Sequence, residues 1–208
     1  MAIHLKTIRR DSYKRAAWKN GLGYTDEIAI YPPGASLQRG DFIWRLSSAR
    51  IEKASPFSEF PFHDRTLVIL QGSGVRLFHT YEPGEQPEAV ELTPLEPYDF
   101  PGDVPSRCEL ISGGVTDLSV FVRKAEAEAQ TEISVVDEAE PMDWIPSGRW
   151  NFAYVADGSF EVLAPGASDV IRIEEGATLE VEVDTPLMDG EAVRWIGSGV
   201  LVLVGIQG

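Results

Sequence analysis

The sequence has little of what disulfides and metal sites require. Its 208 residues include one cysteine, Cys108, and three histidines. A single cysteine excludes a disulfide within the chain and any structural zinc site built on two or more cysteines. The histidines His4, His63 and His79 lie far apart, and none has another histidine two residues away, the spacing that places two imidazoles on one face of a strand. We therefore predict no metal and no cofactor.

Long apolar runs are also missing. No segment approaches the roughly 18 apolar residues of a membrane-spanning helix. The first 18 residues, MAIHLKTIRRDSYKRAAW, lack the apolar stretch of a secretory signal. The longest apolar run, residues 200–204, is typical of a buried strand. The sequence therefore predicts no membrane partner.

Positive charge is scarce as well. The chain has 18 Lys and Arg against 33 Asp and Glu, a formal net charge of -15. A surface this acidic repels phosphate backbones, which argues against nucleic acid as a partner. The basic residues concentrate in the first 65 positions, so an anionic small molecule is expected to bind in the first half.

What the chain does contain is a repeated pattern of short strands. Residues 66–79 and 151–163 each have two β-rich runs around a glycine, and Asp157-Gly158 is a strong hairpin signal. Each is followed by a glycine-containing turn and a closing apolar strand, which indicates duplicated units. With the turn Pro101-Gly102-Asp103, this order resembles a cupin jelly roll. We predict an all-β bicupin, two fused RmlC-like jelly-roll β-barrels with domains at residues 1–124 and 125–208. An ordinary antiparallel sandwich is the alternative.

The first half also holds a dense series of polar and aromatic residues. Aromatic walls with a few guanidinium, amide and hydroxyl groups are what a small-ligand pocket needs. The candidate ligand-binding residues are Trp18, Asn20, Thr25, Glu27, Trp44, Arg45, Ser47, Phe57, Arg65 and Asp117.

Arg45 and Arg65 carry the most specific part of this hypothesis. Guanidinium groups can fork onto a carboxylate, and we predict that both point into one pocket walled by Trp18, Trp44 and Phe57. Glu27 and Asp117 could orient the arginines or receive a cationic group of the ligand. The alternative is that both arginines are structural and tie loops to the barrel.

The same segments resemble a known family. WKNG at residues 18–21, FIWRLS at 42–47, FPGD at 100–103 and DLSV at 117–120 are similar to the HutD/Ves family, a bicupin group associated with histidine utilisation. Two positions depart from the family pattern, Phe62 where glycine is expected and Ser119 where asparagine is expected. The resemblance implies a cytoplasmic protein with no established enzymatic step. It also implies a small ligand from histidine breakdown, such as urocanate or a formylated amino acid.

Three functions follow as hypotheses. The first is a metal-independent, HutD/Ves-like bicupin that binds a small anionic metabolite and modulates histidine utilisation. The second is a metal-independent isomerase or lyase that uses Glu27, Asp117 or His63 as general acid or base. The third is a structural bicupin whose partner is another protein. The sequence leaves a homodimer open.

Overall fold

The described part of the chain is built almost entirely from antiparallel strands. The computed structural model describes residues 3–18, 23–166, 169–183 and 191–208. Within these ranges the helical content is one short 3-10 helix, Arg10–Ser12. No helix in the described residues is long and apolar enough to cross a membrane. The prediction of an all-β protein is confirmed.

The strands divide between two compact units. The N-terminal unit is Lys14–Ala127, and the C-terminal unit runs from Glu128 onward and includes the residues up to Tyr13. The predicted domains are residues 1–124 and 125–208, whereas in the structure the residues up to Tyr13 belong to the C-terminal unit. Ile3–Ile8 pairs with Thr178–Val183 and so belongs to the C-terminal unit. That pairing spans most of the chain and has no local sequence signal.

Two sheets make up the N-terminal unit. The strands are β2 (Lys14–Ala17), β3 (Gly23–Tyr31), β4 (Trp44–Ile51), β5 (Ser55–Pro56), β6 (His63–Gln71), β7 (Val75–His79), β8 (Glu88–Leu92), β9 (Tyr98–Pro101), β10 (Ser106–Leu110) and β11 (Val115–Arg123). One sheet has the order β2-β3-β4-β11-β6-β9 and the other the order β5-β10-β7-β8. Ile51 and Leu67 of the first sheet share a buried apolar cluster with Leu77 and Cys108 of the second, so the core lies between the sheets.

One seven-stranded sheet makes up the C-terminal unit. The strands are β1 (Ile3–Ile8), β12 (Glu128–Val136), β13 (Met142–Trp144), β14 (Trp150–Leu163), β15 (Val170–Glu174), β16 (Thr178–Val183) and β17 (Val193–Gln207). The main path is β1-β16-β14-β17-β12, with β13 added to β17 and β15 added to β14. The unit has its own apolar core, in which Phe160, Leu179, Trp195 and Leu203 are buried.

The two units share one pattern of strand pairing. In the N-terminal unit the paths are β4-β11-β6-β9 and β5-β10-β7-β8. In the C-terminal unit they are β12-β17-β14-β16 and β13-β17-β14-β15. The pairing patterns of the two units match, in chain order, if two strands are each counted twice. β14 corresponds to both β6 and β7, and β17 corresponds to both β10 and β11. The duplication seen in the sequence is therefore a duplication of topology.

The glycines at the centres of the two repeats do not form hairpins, contrary to the sequence prediction. β6 pairs with β9 and β11, and β7 pairs with β8 and β10, so Gly72 lies where the chain crosses between sheets. Asp157-Gly158 lies within the continuous strand β14, next to a bulge. Gly158 has φ +86, and a Cβ there would lie 2.0 Å from the carbonyl oxygen of Ser198. The Asp-Gly pair bends one long strand and does not reverse it.

Candidate functional site

A cavity of about 760 Å³ lies in the N-terminal unit, on the inner face of its six-stranded sheet. Side chains of β3, β4, β6 and β11 form its floor, while Leu37 from the loop after β3 and Phe57 and Phe60 from the segment after β5 also line it. Its volume is in the range usual for small-molecule sites.

Strand register places the floor residues side by side. Arg45 and Arg65 both lie opposite Phe121 of β11, one on each side. Ser47 lies between Glu27 of β3 and Ser119 of β11. Residues directly opposite each other in antiparallel strands point to the same face. The inner face of β4 is therefore the one that carries Arg45 and Ser47, a choice that the sequence left open.

Arg45 is held by an ion pair with Glu27. Its Nε lies 3.0 Å from Glu27 Oε2, and one terminal nitrogen donates a 2.9 Å hydrogen bond to the hydroxyl of Ser47. The Arg45 side chain is 5% exposed and that of Glu27 is 19% exposed. A buried charge is costly unless it is paired, so Glu27 keeps this guanidinium at the cavity floor.

Arg65 is less completely satisfied. One terminal nitrogen donates a 2.9 Å hydrogen bond to Ser119, and the guanidinium carbon lies 4.3 Å and 5.0 Å from the ring centroids of Phe57 and Phe121. Its buried Nε has no hydrogen-bond partner among the described residues. Burial lowers the Arg65 pKa to about 10, and the charge of Asp117 offsets part of this shift. The guanidinium therefore stays charged at neutral pH with a donor to spare.

Asp117 is the most deeply buried carboxylate of the cavity. It is 1% exposed. Its Oδ1 accepts a 3.2 Å hydrogen bond from the backbone N–H of Ala49, whereas Oδ2 has no partner within hydrogen-bonding distance in the described part of the chain. Burial raises the Asp117 pKa to about 6, and Arg65, the Ala49 amide and the Ser119 hydroxyl offset part of that rise.

Several predicted residues line this cavity together. They are Trp18, Thr25, Glu27, Arg45, Ser47, Phe57, Arg65 and Asp117. The Trp18 indole nitrogen donates a 2.9 Å hydrogen bond to the Thr25 hydroxyl, which fixes the ring at the wall. Asn20 lies outside the described residues. Binding of a ligand by these side chains stays a prediction.

Trp44 and His63 lie elsewhere, which corrects two expectations. Trp44 precedes Arg45 on β4, points to the opposite face and stacks on Tyr31 with ring centroids 5.6 Å apart. It does not wall the cavity. The ring nitrogens of His63 lie 2.9 Å and 3.1 Å from the carbonyl oxygens of Pro61 and Phe42. His63 is therefore not a cavity acid or base.

Sequence reasoning missed Ser119, Phe121 and Phe60, which also line the cavity. A signal for the first two was present, because Asp117, Ser119 and Phe121 alternate along one strand and so share a face. Phe60 lies on a loop and had no such signal.

Within the described ranges no group of three or more His, Cys, Asp or Glu side chains is placed to hold a metal ion. Cys108 is buried, and burial raises its thiol pKa to about 12. It is a neutral core residue at neutral pH.

A protein-family model described as HutD matches residues 10–192. The chain belongs to the HutD family. It is 35% identical over 117 residues to an uncharacterized 21.2 kDa protein in the hutC 3' region of Pseudomonas putida, covering 56% of this chain and 57% of that one. That alignment spans little more than half of the relative's length. Protein Ves of Cronobacter sakazakii is 30% identical over 146 residues, 70% of this chain and 72% of its own. The HutD/Ves resemblance is confirmed.

Solved structures give the same picture. HutD from Pseudomonas fluorescens, described for a formate condition, is 26% identical with a TM-score of 0.76, and 99% of this chain matches 100% of that one. A conserved protein of unknown function from Pseudomonas aeruginosa has a TM-score of 0.83 at 23% identity, with 99% and 100% covered. Oxalate decarboxylase from Bacillus subtilis matches 96% of this chain and 76% of its own, with a TM-score of 0.63 at 10% identity. The last two matches show the fold alone, which is that of the cupins.

Proposed function

We propose that this HutD-family protein is a metal-independent bicupin of two jelly-roll barrels whose N-terminal unit binds a small anionic metabolite and so modulates histidine utilisation. The observation that carries the proposal is the pair of buried guanidiniums, Arg45 and Arg65, at the floor of an aromatic-walled cavity. Guanidinium donors in a desolvated pocket suit a carboxylate.

The duplicated topology supplies an internal comparison. The bulge at Leu70 on β6, opposite Thr116 and Asp117, matches the bulge at Ala156 on β14, opposite Val200 and Leu201. Counting along both strands from the bulges pairs Asp117 with Leu201, Ser119 with Leu203 and Arg65 with Asn151.

The two units carry different side chains at equivalent strand positions. Leu201 and Leu203 are buried in the apolar core of the C-terminal unit, so the same strand positions can be filled by apolar side chains. The N-terminal unit places a carboxylate and a hydroxyl there, beside a cavity. Burying polar groups costs free energy unless they are paired, and the shared topology does not require them. This favours a binding role over a purely structural role for Asp117.

The link to histidine utilisation comes from relatives. The Pseudomonas putida relative is described by its position in the hutC 3' region. The Pseudomonas fluorescens HutD structure is described for a formate condition, and formate is a carboxylate small enough for this cavity. We infer a ligand that is an anionic product of histidine breakdown, of the urocanate or formylated amino acid type.

The test is a thermal-shift screen with carboxylates of this type, followed by calorimetry. A ligand at about 100 times its dissociation constant should stabilise the fold by roughly 2.7 kcal/mol. Arg65→Met should weaken binding about ten- to a hundredfold, because a hydrogen bond to a charged group contributes roughly 1.5–3 kcal/mol.

Arg76→Met is the matched control. Arg76 lies in the same unit, is 49% exposed and pairs with Glu91, so its loss should leave affinity unchanged. A folded Arg65→Met variant that binds as tightly as the parent would show that Arg65 is structural. If no carboxylate shifts the melting temperature, the result supports the third hypothesis, a structural bicupin whose partner is another protein.

The free oxygen of Asp117 favours a second candidate, a metal-independent isomerase or lyase. A carboxyl with a pKa raised to about 6 and one unbonded oxygen is suited to proton transfer near neutral pH, whereas Glu27 is held by Arg45. Incubating the protein with any ligand from the screen in D₂O decides this. Deuterium exchange or product formation in NMR spectra, lost in Asp117→Asn, supports an enzyme, and an unchanged ligand supports binding alone.

A further inference from the structure

The charges at the cavity floor are balanced. Two guanidiniums, Arg45 and Arg65, face two carboxylates, Glu27 and Asp117. The nearby Arg15 is bound to Asp26 by two hydrogen bonds of 2.7 Å. An entering carboxylate therefore adds a negative charge beside two floor cations that already face two carboxylates, while Lys14, the remaining lining cation, lies on the exposed strand β2.

The two carboxylates are not equivalent. Glu27 forms an ion pair with Arg45 at 3.0 Å and is partly exposed. Asp117 is 1% exposed, and in the described part of the chain its Oδ2 accepts no hydrogen bond. Of the two, Asp117 is the one that can lose its charge without breaking an ion pair.

We propose that a monocarboxylate entering this cavity binds together with one proton from solvent, which Asp117 takes up on Oδ2. This inference rests on the proposed anion-binding function of the site. Two like charges in a poorly solvated cavity repel each other strongly, and protonation removes that repulsion.

The strands around Asp117 and the cavity carry further charged or titratable groups, which set the net charge that Asp117 experiences. They are Arg65 on β6, Arg45 on β4, Glu27 on β3, Lys14 and Arg15 on β2, and Cys108 on β10. The thiol of Cys108 stays neutral because burial raises its pKa to about 12. Asp117, whose pKa burial raises to about 6, is thus the group poised to take up a proton near neutral pH.

Formate is the probe for the experiment. Its dissociation constant is measured by NMR titration from pH 5.5 to 8, and proton uptake by calorimetry in two zwitterionic buffers of different ionisation enthalpy. For a site that binds only with Asp117 protonated, the dissociation constant rises about tenfold per pH unit above the Asp117 pKa of about 6. Close to one proton should be taken up per formate at pH 7.5.

Asp117→Asn keeps the shape of the side chain and removes its charge. This variant should bind formate with no proton uptake and no pH dependence. At pH 8 it should bind more tightly than the parent by as much as about 100-fold, because only about 1% of the parent is then protonated at Asp117. Glu91→Gln is the control. It removes a carboxylate that is 51% exposed and lies outside the cavity lining, so it should keep the proton uptake and the pH slope.

The outcomes separate the two proposals. If the parent binds formate with no proton uptake and a flat pH profile, the coupling to Asp117 is overturned and the binding site stands. If neither the parent nor Asp117→Asn binds formate at any pH, the proposed anion-binding function itself fails. Should Asp117→Asn not fold, the proton count of the parent decides the coupling alone.

Discussion

Burial of Asp117 should lower the stability of the unliganded protein above pH 6 by an amount that is absent near pH 4. Burial raises the pKa of this carboxyl from 3.8 to about 6, so the folded state holds the proton more tightly than the unfolded chain. Ionisation of Asp117 therefore lowers the free energy of unfolding. This loss is absent below pH 4, increases as the pH rises and reaches its full size above pH 6. A difference of about two pKa units corresponds to about 3 kcal/mol.

Asp117→Asn isolates this penalty. The amide keeps the hydrogen bond from the Ala49 N–H and removes the charge. The variant should match the parent near pH 4 and be more stable by about 3 kcal/mol at pH 7 to 8. Urea unfolding followed by the fluorescence of the chain's five tryptophans measures the difference at each pH. Contributions from all other carboxylates cancel when the two proteins are compared.

Glu91→Gln serves as the control, because Glu91 is 51% exposed and pairs with Arg76. An exposed ion pair contributes at most about 1 kcal/mol, so this variant should follow the pH profile of the parent. The reasoning about Asp117 is refuted if the stability curves of Asp117→Asn and the parent run parallel from pH 4 to 8.

Three further outcomes are expected. Gly158→Ala should destabilise the protein by about 1–3 kcal/mol in thermal unfolding, because its Cβ would clash with the Ser198 carbonyl at a positive φ; an unchanged melting temperature would contradict the bent-strand geometry. Phe57→Leu should weaken carboxylate binding about two- to tenfold in calorimetry, since its ring packs on Arg65; unchanged affinity would remove Phe57 from the site. Cys108 should react with a thiol reagent only on unfolding, because it is buried with a thiol pKa of about 12; fast labelling of the native protein would contradict this.

Sequence patterns predicted the strands better than their partners. The runs around Thr66, Val75 and Leu118 are strands, as expected, because β-branched and apolar residues bounded by turns are a local signal. Asp157-Gly158 has the local signature of a hairpin, yet β14 continues through it. A bulge with glycine at positive φ and a tight turn use the same residues. Pairing along the whole of β17 decides between them, and that pairing is non-local.

The site shows the same division between local and non-local information. Alternation along β4 already implied that Trp44 and Arg45, as neighbours, point to opposite faces. They could not both line one cavity, and the structure places only Arg45 there. Which face is the inner one depends on the register that sets Arg45 opposite Phe121, and no single strand contains that information.

The comparison of Asp117 with Leu201 shows that the fold does not require a carboxylate at this strand position. Both residues follow the same bulge in the same strand pattern, and Leu201 is fully buried in an apolar core. A carboxylate at this position carries a penalty of about 3 kcal/mol at neutral pH, a large share of the 5–15 kcal/mol that typically separates folded from unfolded protein. Locally unfavourable choices of this kind are expected at functional sites. We therefore expect function at the Asp117 end of the cavity in the N-terminal unit, an inference that depends on this chain's own second copy of the fold.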